Sequence, residues 1–235
     1  MSTMTVAIDG PAGSGKSSVS REAARRLGFG ILDTGAAYRA LVWACVQCGV
    51  ELDDEAAVLA VLGDWEYSIT LLGAQRVEVR LPGSAAAAAE PIDVTAAIRA
   101  PEIAARVSAV SRHPRVRERL NEMFRGIVER SGLAGVVIEG RDITTVVAPD
   151  APVRLLLTAS AEARAARRAG ELPGMSEEQV LSDLAVRDAR DAQVVDFFTP
   201  APGVALIDTT HLDFDGSVRA VIHQIDAVRH GEDQR

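Results

Sequence analysis

Val6-Ala7-Ile8-Asp9-Gly10-Pro11-Ala12-Gly13-Ser14-Gly15-Lys16-Ser17-Ser18 runs from an apolar stretch, through a glycine-rich turn, into a segment that reads as a helix. Its Gly-x-x-x-x-Gly-Lys-Ser spacing is that of a phosphate-binding loop set between a strand and a helix. The glycines let several backbone N–H groups point at one anion, and the helix that follows adds the positive end of its dipole. In such a loop Lys16 reaches the β- and γ-phosphates of a nucleoside triphosphate, and Ser17 ligates Mg²⁺. Gly10, Pro11, Ala12, Gly13, Ser14, Gly15, Lys16, Ser17 and Ser18 are the expected triphosphate contacts.

The rest of the chain extends this unit. Short apolar runs at residues 5–8, 31–32, 136–138, 153–157 and 204–207 each precede a turn or a helical pattern. That alternation predicts an α/β fold, a parallel five-stranded sheet flanked by helices. In the first helix Val19, Ala23, Ala24 and Leu27 share a face, the charged residues lie elsewhere, and Gly28 supplies the stop. A last helix, residues 215–228, turns Val218, Val221, Ile222 and Ile225 inward. Between the second and third runs a long segment breaks the alternation. There Trp65-Glu66-Tyr67-Ser68-Ile69 and Val77-Glu78-Val79-Arg80-Leu81 alternate with period two around Gly73-Ala74-Gln75, which predicts a hairpin in an inserted antiparallel β subdomain. The alanine tract at residues 85–89 reads as a variable loop, and residues 101–130 as helical with a break at Pro114.

With 235 residues, 48% of them hydrophobic, the chain buries a substantial core. Its 25 basic against 33 acidic residues give a net charge of −8, which argues against a nucleic-acid polymer or an anionic membrane as the main partner. No apolar stretch approaches a membrane span and no signal-peptide pattern opens the chain, so a cytoplasmic protein is expected. Cys45 and Cys48 have C-x-x-C spacing inside a helical pattern, without the further ligands that zinc requires. Packed thiols are the expectation there.

A phosphate-binding loop is shared by GTPases, motors, transporters and small-molecule kinases. No Asn-Lys-x-Asp guanine-reading motif is present. Instead, arginines stand beside turn residues after successive strands, where an open α/β sheet binds its ligands. Arg39 follows the second strand and Arg141 the third, with Arg164, Arg167, Arg168, Arg187 and Arg190 after the fourth. Phosphoryl transfer between two polyanions depends on positioning and charge neutralisation, and arginine forks hold phosphates bidentately. Glu139, closing the third strand, is placed to act on the Mg²⁺ shell, directly or through water.

The loop, Leu32-Asp33-Thr34-Gly35-Ala36-Ala37-Tyr38-Arg39, the segment Val107 through Arg117, and Ile138-Glu139-Gly140-Arg141-Asp142 through Val153 together resemble the bacterial cytidylate kinase family, over nearly the whole chain. Ile92-Asp93-Val94-Thr95 and Ile98-Arg99 resemble it too. The resemblance implies a nucleoside monophosphate kinase fold with a core (about 1–60, 131–160 and 200–235), a CMP-binding insertion (about 61–130) and a lid (about 161–190). It implies transfer of the γ-phosphoryl of Mg·ATP to CMP or dCMP by a monomer. By the same resemblance Thr34, Tyr38, Arg39 and Arg141 surround the CMP phosphate. Ser108, Arg117 and Asp142 read cytosine, Arg187 and Asp191 hold the sugar, and Arg164, Arg167 and Arg168 close over the transferred group. A carboxylate at Asp142 suits this role, because cytosine offers an amine donor where uracil offers an acceptor. Asp142 also stands where it could cap the next turn. One position departs from the family: Val194 stands where an arginine often contacts the acceptor phosphate, so Arg190 or a lid arginine substitutes, or phosphate affinity is weaker. Another small-molecule kinase, of shikimate or adenylate type, is disfavoured by the hairpin and by Ser108 with Arg117. A nucleotide-binding module without turnover is the alternative from a different class.

Overall fold

The computed structural model describes residues 3–83, 90–171, 176–192 and 198–231, without the side chains of residues 171, 177, 187 and 190–192. In chain order its elements begin β1 (Met4–Asp9), α1 (Lys16–Leu27), β2 (Gly30–Asp33), α2 (Thr34–Gln47) and α3 (Glu55–Asp64). There follow β3 (Glu66–Ile69), β4 (Val77–Arg80), β5 (Ile92–Asp93), a 3₁₀ turn (Ala97–Arg99), α4 (Pro101–Ala104), α5 (Val107–Ser111) and α6 (Pro114–Glu129). The chain then runs through β6 (Gly135–Gly140), a wide π-type turn (Ile143–Val147), β7 (Val153–Thr158), α7 (Ala161–Glu171), α8 (Glu177–Ala192), β8 (Ala205–Asp208) and α9 (Phe214–Arg229). It divides into two compact units, one of Met1–Ile31 with Ile127–Arg235, the other Leu32–Gly126.

The first unit is built on a five-stranded sheet in the order β2-β6-β1-β7-β8. β1 pairs in parallel with β6 and β7, and β7 with β8, as the βα alternation predicts. The register decides what meets at the strand ends: Ile8 lies opposite Glu139 and Asp9 opposite Gly140. Ligand-binding groups gather at this carboxyl edge in open α/β sheets. One face of the sheet is sealed by Val6, Ile8, Val137, Leu155 and Leu157 packed against Val19, Ala23 and Ala24 of α1 and Val218, Val221 and Ile225 of α9. Burying each of the larger side chains contributes about 1.5–3 kcal/mol, so apolar packing holds this seam. α1 stops where the sequence places its end, with Gly28 in the left-handed region at φ 67° and its N–H donating to Arg25 O.

The second unit forms around α2. Ala36, Ala37, Ala40, Leu41, Val42, Ala44 and Cys45 are all buried, so this helix is apolar on several sides. Its small residues admit α3, α4, α5 and β4. The predicted hairpin is present as β3 and β4, Tyr67 opposite Val79, and β5 adds a third antiparallel strand. α5 ends at Ser111 and α6 begins on Pro114, the break expected there. The expectation of two packed thiols is corrected. Cys45 is buried and burial pushes its thiol up to about 12, whereas Cys48 is exposed at the C-terminal cap of α2, beyond the packed face.

Across the first unit, Arg26 of α1 donates to Asp215 of α9 at 2.6 Å and to Glu22 at 2.8 Å. Hydrogen bonds from Arg25 and Arg26 hold the Glu22 carboxyl down at about 2. A carboxylate with a depressed pKa stabilises the fold above its unfolded value and loses that contribution as pH falls through the folded one. The urea midpoint of the wild type should therefore drop as pH falls from 4.5 toward 2, more steeply than that of Glu22→Gln at low salt. Identical pH profiles for the two proteins would remove Glu22 from the linkage.

Candidate active site

The loop between β1 and α1 is fixed by what presses against it. A side chain at Gly10 would put its Cβ 2.2 Å from the Leu157 carbonyl, so no larger residue fits without moving β7. At Gly13, with φ +76°, a Cβ would lie 3.1 Å from both Cβ and O of Arg164, and α7 sits against the loop there. Gly15, also left-handed, opens α1 with no side-chain cap, leaving first-turn N–H groups for a ligand. Four of the loop's carbonyls meet donors. Arg141 Nη1 donates to Gly10 O at 2.6 Å, Ser14 Oγ to Pro11 O at 3.0 Å, and Arg164 Nη1 to Ala12 O at 3.1 Å. Ser14 O accepts from Arg167 Nη1 at 3.4 Å, and Thr209 Oγ1, whose proton goes to Thr158 O, lies 3.4 Å from it.

Glu139 is 3% exposed at the end of the wholly buried strand β6. Its carboxylate accepts from Lys16 Nζ and, at 2.6 Å, from Ser17 Oγ. Lys16 is the only lysine in the chain, so no other ammonium side chain could substitute. Ser17 and Glu139 present hard oxygen donors suited to Mg²⁺, which commonly takes one or two protein oxygens and leaves the rest to phosphates and water. No cluster of three or more His, Cys, Asp or Glu side chains that could hold a metal occurs among the described residues.

Asp9 escaped the sequence reading. Its buried carboxylate accepts from Ile143 N at 2.8 Å, Thr144 N at 2.8 Å and Thr144 Oγ1 at 2.6 Å, and so caps the wide turn after β6. Burial pushes the Asp9 carboxyl up, against the pull of these hydrogen bonds. Asp142 occupies the cap position of that turn, but its carboxylate makes no capping bond. Its carbonyl takes Val146 N at 2.9 Å, so Asp9 performs the capping that Asp142 could have supplied. Thr209, buried at the end of β8, was missed too: it accepts from Arg167 Nη1 at 3.0 Å and donates to Thr158 O at 2.9 Å. An acid or hydroxyl at a strand end was the available signal for both.

In the second unit Asp33 caps α2, accepting from Ala36 N at 2.9 Å, and its other oxygen accepts from Arg39 Nη2 at 3.1 Å. Thr34, Tyr38 and Arg39 thus share the first turns of α2, with the Tyr38 ring 6.3 Å from that of Phe124. Ser108 lies half-buried on α5 and Arg117 on α6. Arg39 Nε and Tyr67 Oη are among the buried polar atoms of this unit that have no hydrogen-bond partner. Within the first unit the structure brings Lys16, Ser17, Glu139, Arg141, Arg164 and Arg167 to one loop, and Arg168 lies half-buried on the same helix. The side chains of Arg187, Arg190 and Asp191, and the whole of Val194, lie outside the described residues.

The family model for cytidylate kinase matches residues 6–227. The chain belongs to the cytidylate kinase family. A cytidylate kinase of Streptomyces coelicolor is 42% identical over 228 residues, covering 97% of this chain and 94% of that protein. One of Streptomyces avermitilis is 40% identical over 225 residues, covering 95% and 93%. Among solved structures, an uncharacterized protein from Eubacterium ventriosum is similar in fold, with TM-score 0.53 at 13% identity over 96% of this chain and 99% of that one. No helix among the described residues is long and apolar enough to cross a membrane.

The Lys16–Glu139 pair also bears on stability in this member of the family. Removing one partner of a buried pair strands the other charge, which costs more than the pair contributes. Lys16→Ala should lower the unfolding free energy by about 3 kcal/mol, and Lys16→Ala/Glu139→Gln should recover at least about half of that loss. Urea unfolding of wild type, single and double variants measures it. Equal stability of the single and double variants would show that Glu139 does not depend on Lys16.

Proposed function

We propose that this chain transfers the γ-phosphoryl group of ATP to CMP or dCMP, giving ADP and CDP or dCDP. The observation that carries the reading is the convergence on one loop of the only lysine, a buried carboxylate and arginines from two places, the end of β6 and α7. Phosphoryl transfer asks little covalent chemistry of the protein and much positioning and charge neutralisation. The first-turn N–H groups of α1 and the loop N–H groups cradle the donor phosphates, and Lys16 exchanges part of its contact with Glu139 for the β- and γ-phosphates. Ser17 and Glu139 would hold Mg²⁺, which when bound neutralises charge on the donor phosphates.

The remaining cations divide by unit. Arg164, Arg167 and Arg168 on α7 offset charge on the group in transit, and their approach to the loop keeps water from it. Arg39, with Thr34 and Tyr38, takes the acceptor phosphate together with Arg141. Ser108, Arg117 and Asp142 read the base, Arg187 and Asp191 the sugar. The same reading takes a cytoplasmic monomer as the working form.

Base recognition is where this reading meets its sharpest test. A buried hydrogen bond to a charged group contributes about 1.5–3 kcal/mol, so Asp142→Ala should lower the ratio of kcat/KM for CMP over UMP by about 10- to 150-fold. Coupled ADP release with each acceptor measures the ratio. Equal losses on both substrates would make Asp142 a structural residue, and an unchanged ratio would remove it from the base site. Absence of acceptor-dependent ADP from the wild type would leave only a nucleotide-binding module.

A further inference from the structure

Arg164 and Asp188 form an ion pair between α7 and α8, with 8% and 6% exposure. Arg164 Nη1 donates to Asp188 Oδ2 at 2.5 Å, and the same nitrogen donates to Ala12 O in the phosphate-binding loop at 3.1 Å. A buried ion pair is weak evidence for stability, because desolvating both groups offsets most of their attraction. Its geometry is also not the most stabilising one available. A parallel fork would engage two nitrogens with two carboxylate oxygens, yet Arg164 Nε and Asp188 Oδ1 are both buried without a partner. One nitrogen instead bridges α8 to the loop, and a second donor of the same guanidinium stays uncommitted.

The apolar surroundings hold this bridge in place. Ala165 of α7 and Val180 and Leu184 of α8 form a small core with Ala12 and Ala169 packed on it. α7 thus touches the loop through Ala12 and Gly13, and Asp188 lies one helical turn beyond Leu184 on the same side of α8. We propose that Asp188 is a positioning residue for the transfer reaction: its carboxylate draws Arg164 against the phosphate-binding loop and fixes where that guanidinium stands for the group in transit. Asp188 touches neither nucleotide in this role. It acts through Arg164, and the proposal rests on the reading of the α7 arginines as groups acting on the transferred phosphoryl.

The test is a double-mutant cycle in steady-state kinetics, with kcat and the KM values for ATP and CMP measured for wild type, Asp188→Asn, Arg164→Gln and the double variant. All are assayed at a temperature where circular dichroism shows each fully folded. Asp188→Asn should lower kcat by about tenfold or more and leave KM for CMP within about threefold, and the double variant should be no more than about twofold slower than Arg164→Gln. A kcat for Asp188→Asn within about twofold of wild type, or losses that multiply in the double variant, would overturn the proposal. Arg164→Gln at wild-type kcat would sink the reading of the α7 arginines and the proposal with it. A slow Arg164→Gln beside a fast Asp188→Asn would sink the proposal alone. Should Asp188→Asn not fold, Asp188→Glu keeps the charge but moves it by one methylene. Its kcat should fall, and a wild-type value would overturn the proposal.

Discussion

A carboxylate buried at the end of a central strand sets the terms for the rest of the first unit. Burying a carboxylate is costly unless donors meet it, and Glu139, 3% exposed, accepts from Lys16 and Ser17. For them to reach it, the chain leaving β1 must turn back over the end of β6 within a few residues. The parallel register that sets Ile8 beside Glu139 makes that distance short. The close approach of Leu157 O to Gly10 is the steric cost of so tight a turn. Pairing, register and glycine are three views of one constraint.

The loop's two sides then take different work. Its carbonyls are engaged by Arg141, Ser14, Arg164 and Arg167, drawn from β6's end, the loop itself and α7. Backbone C=O groups occupied by cations orient the neighbouring N–H groups away from them, toward the side where a phosphate would lie. Arg141, Arg164 and Arg167, which the family resemblance places on phosphates, are also, in this structure, groups that hold the loop. Neutralising one of them removes a charge and loosens the cradle together, and paired readouts of rate and stability are needed to separate the two.

Much of this was legible in the sequence because it is local. The strand–loop–helix spacing, the left-handed Gly28 and the period-two runs of β3 and β4 each follow from neighbours a few residues apart. Glu139 was legible too, as an acid closing an otherwise apolar strand. What escaped depends on register between distant segments. Asp9 caps a turn 134 residues away, and Thr209 meets Ser14 across 195, so neither leaves any periodicity to read. β5 is only two residues long and gains its strand character from β4. Asp188 lies within an Arg-Asp-rich run whose bland reading is a solvated helix face, and only the packing of α7 on α8 turns it inward.

The assignment of Glu139 links the fold to the chemistry, and one titration addresses it directly. The initial rate of CMP-dependent ADP formation is followed against Mg²⁺ concentration, at saturating ATP and CMP, for wild type and Glu139→Gln. If the carboxylate belongs to the metal shell, half-saturating Mg²⁺ should rise by about tenfold or more in the variant, in the range seen when groups orienting a bound metal are removed. An unchanged Mg²⁺ dependence, whatever happens to the maximal rate, would contradict it and leave Glu139 only as the structural partner of Lys16 and Ser17.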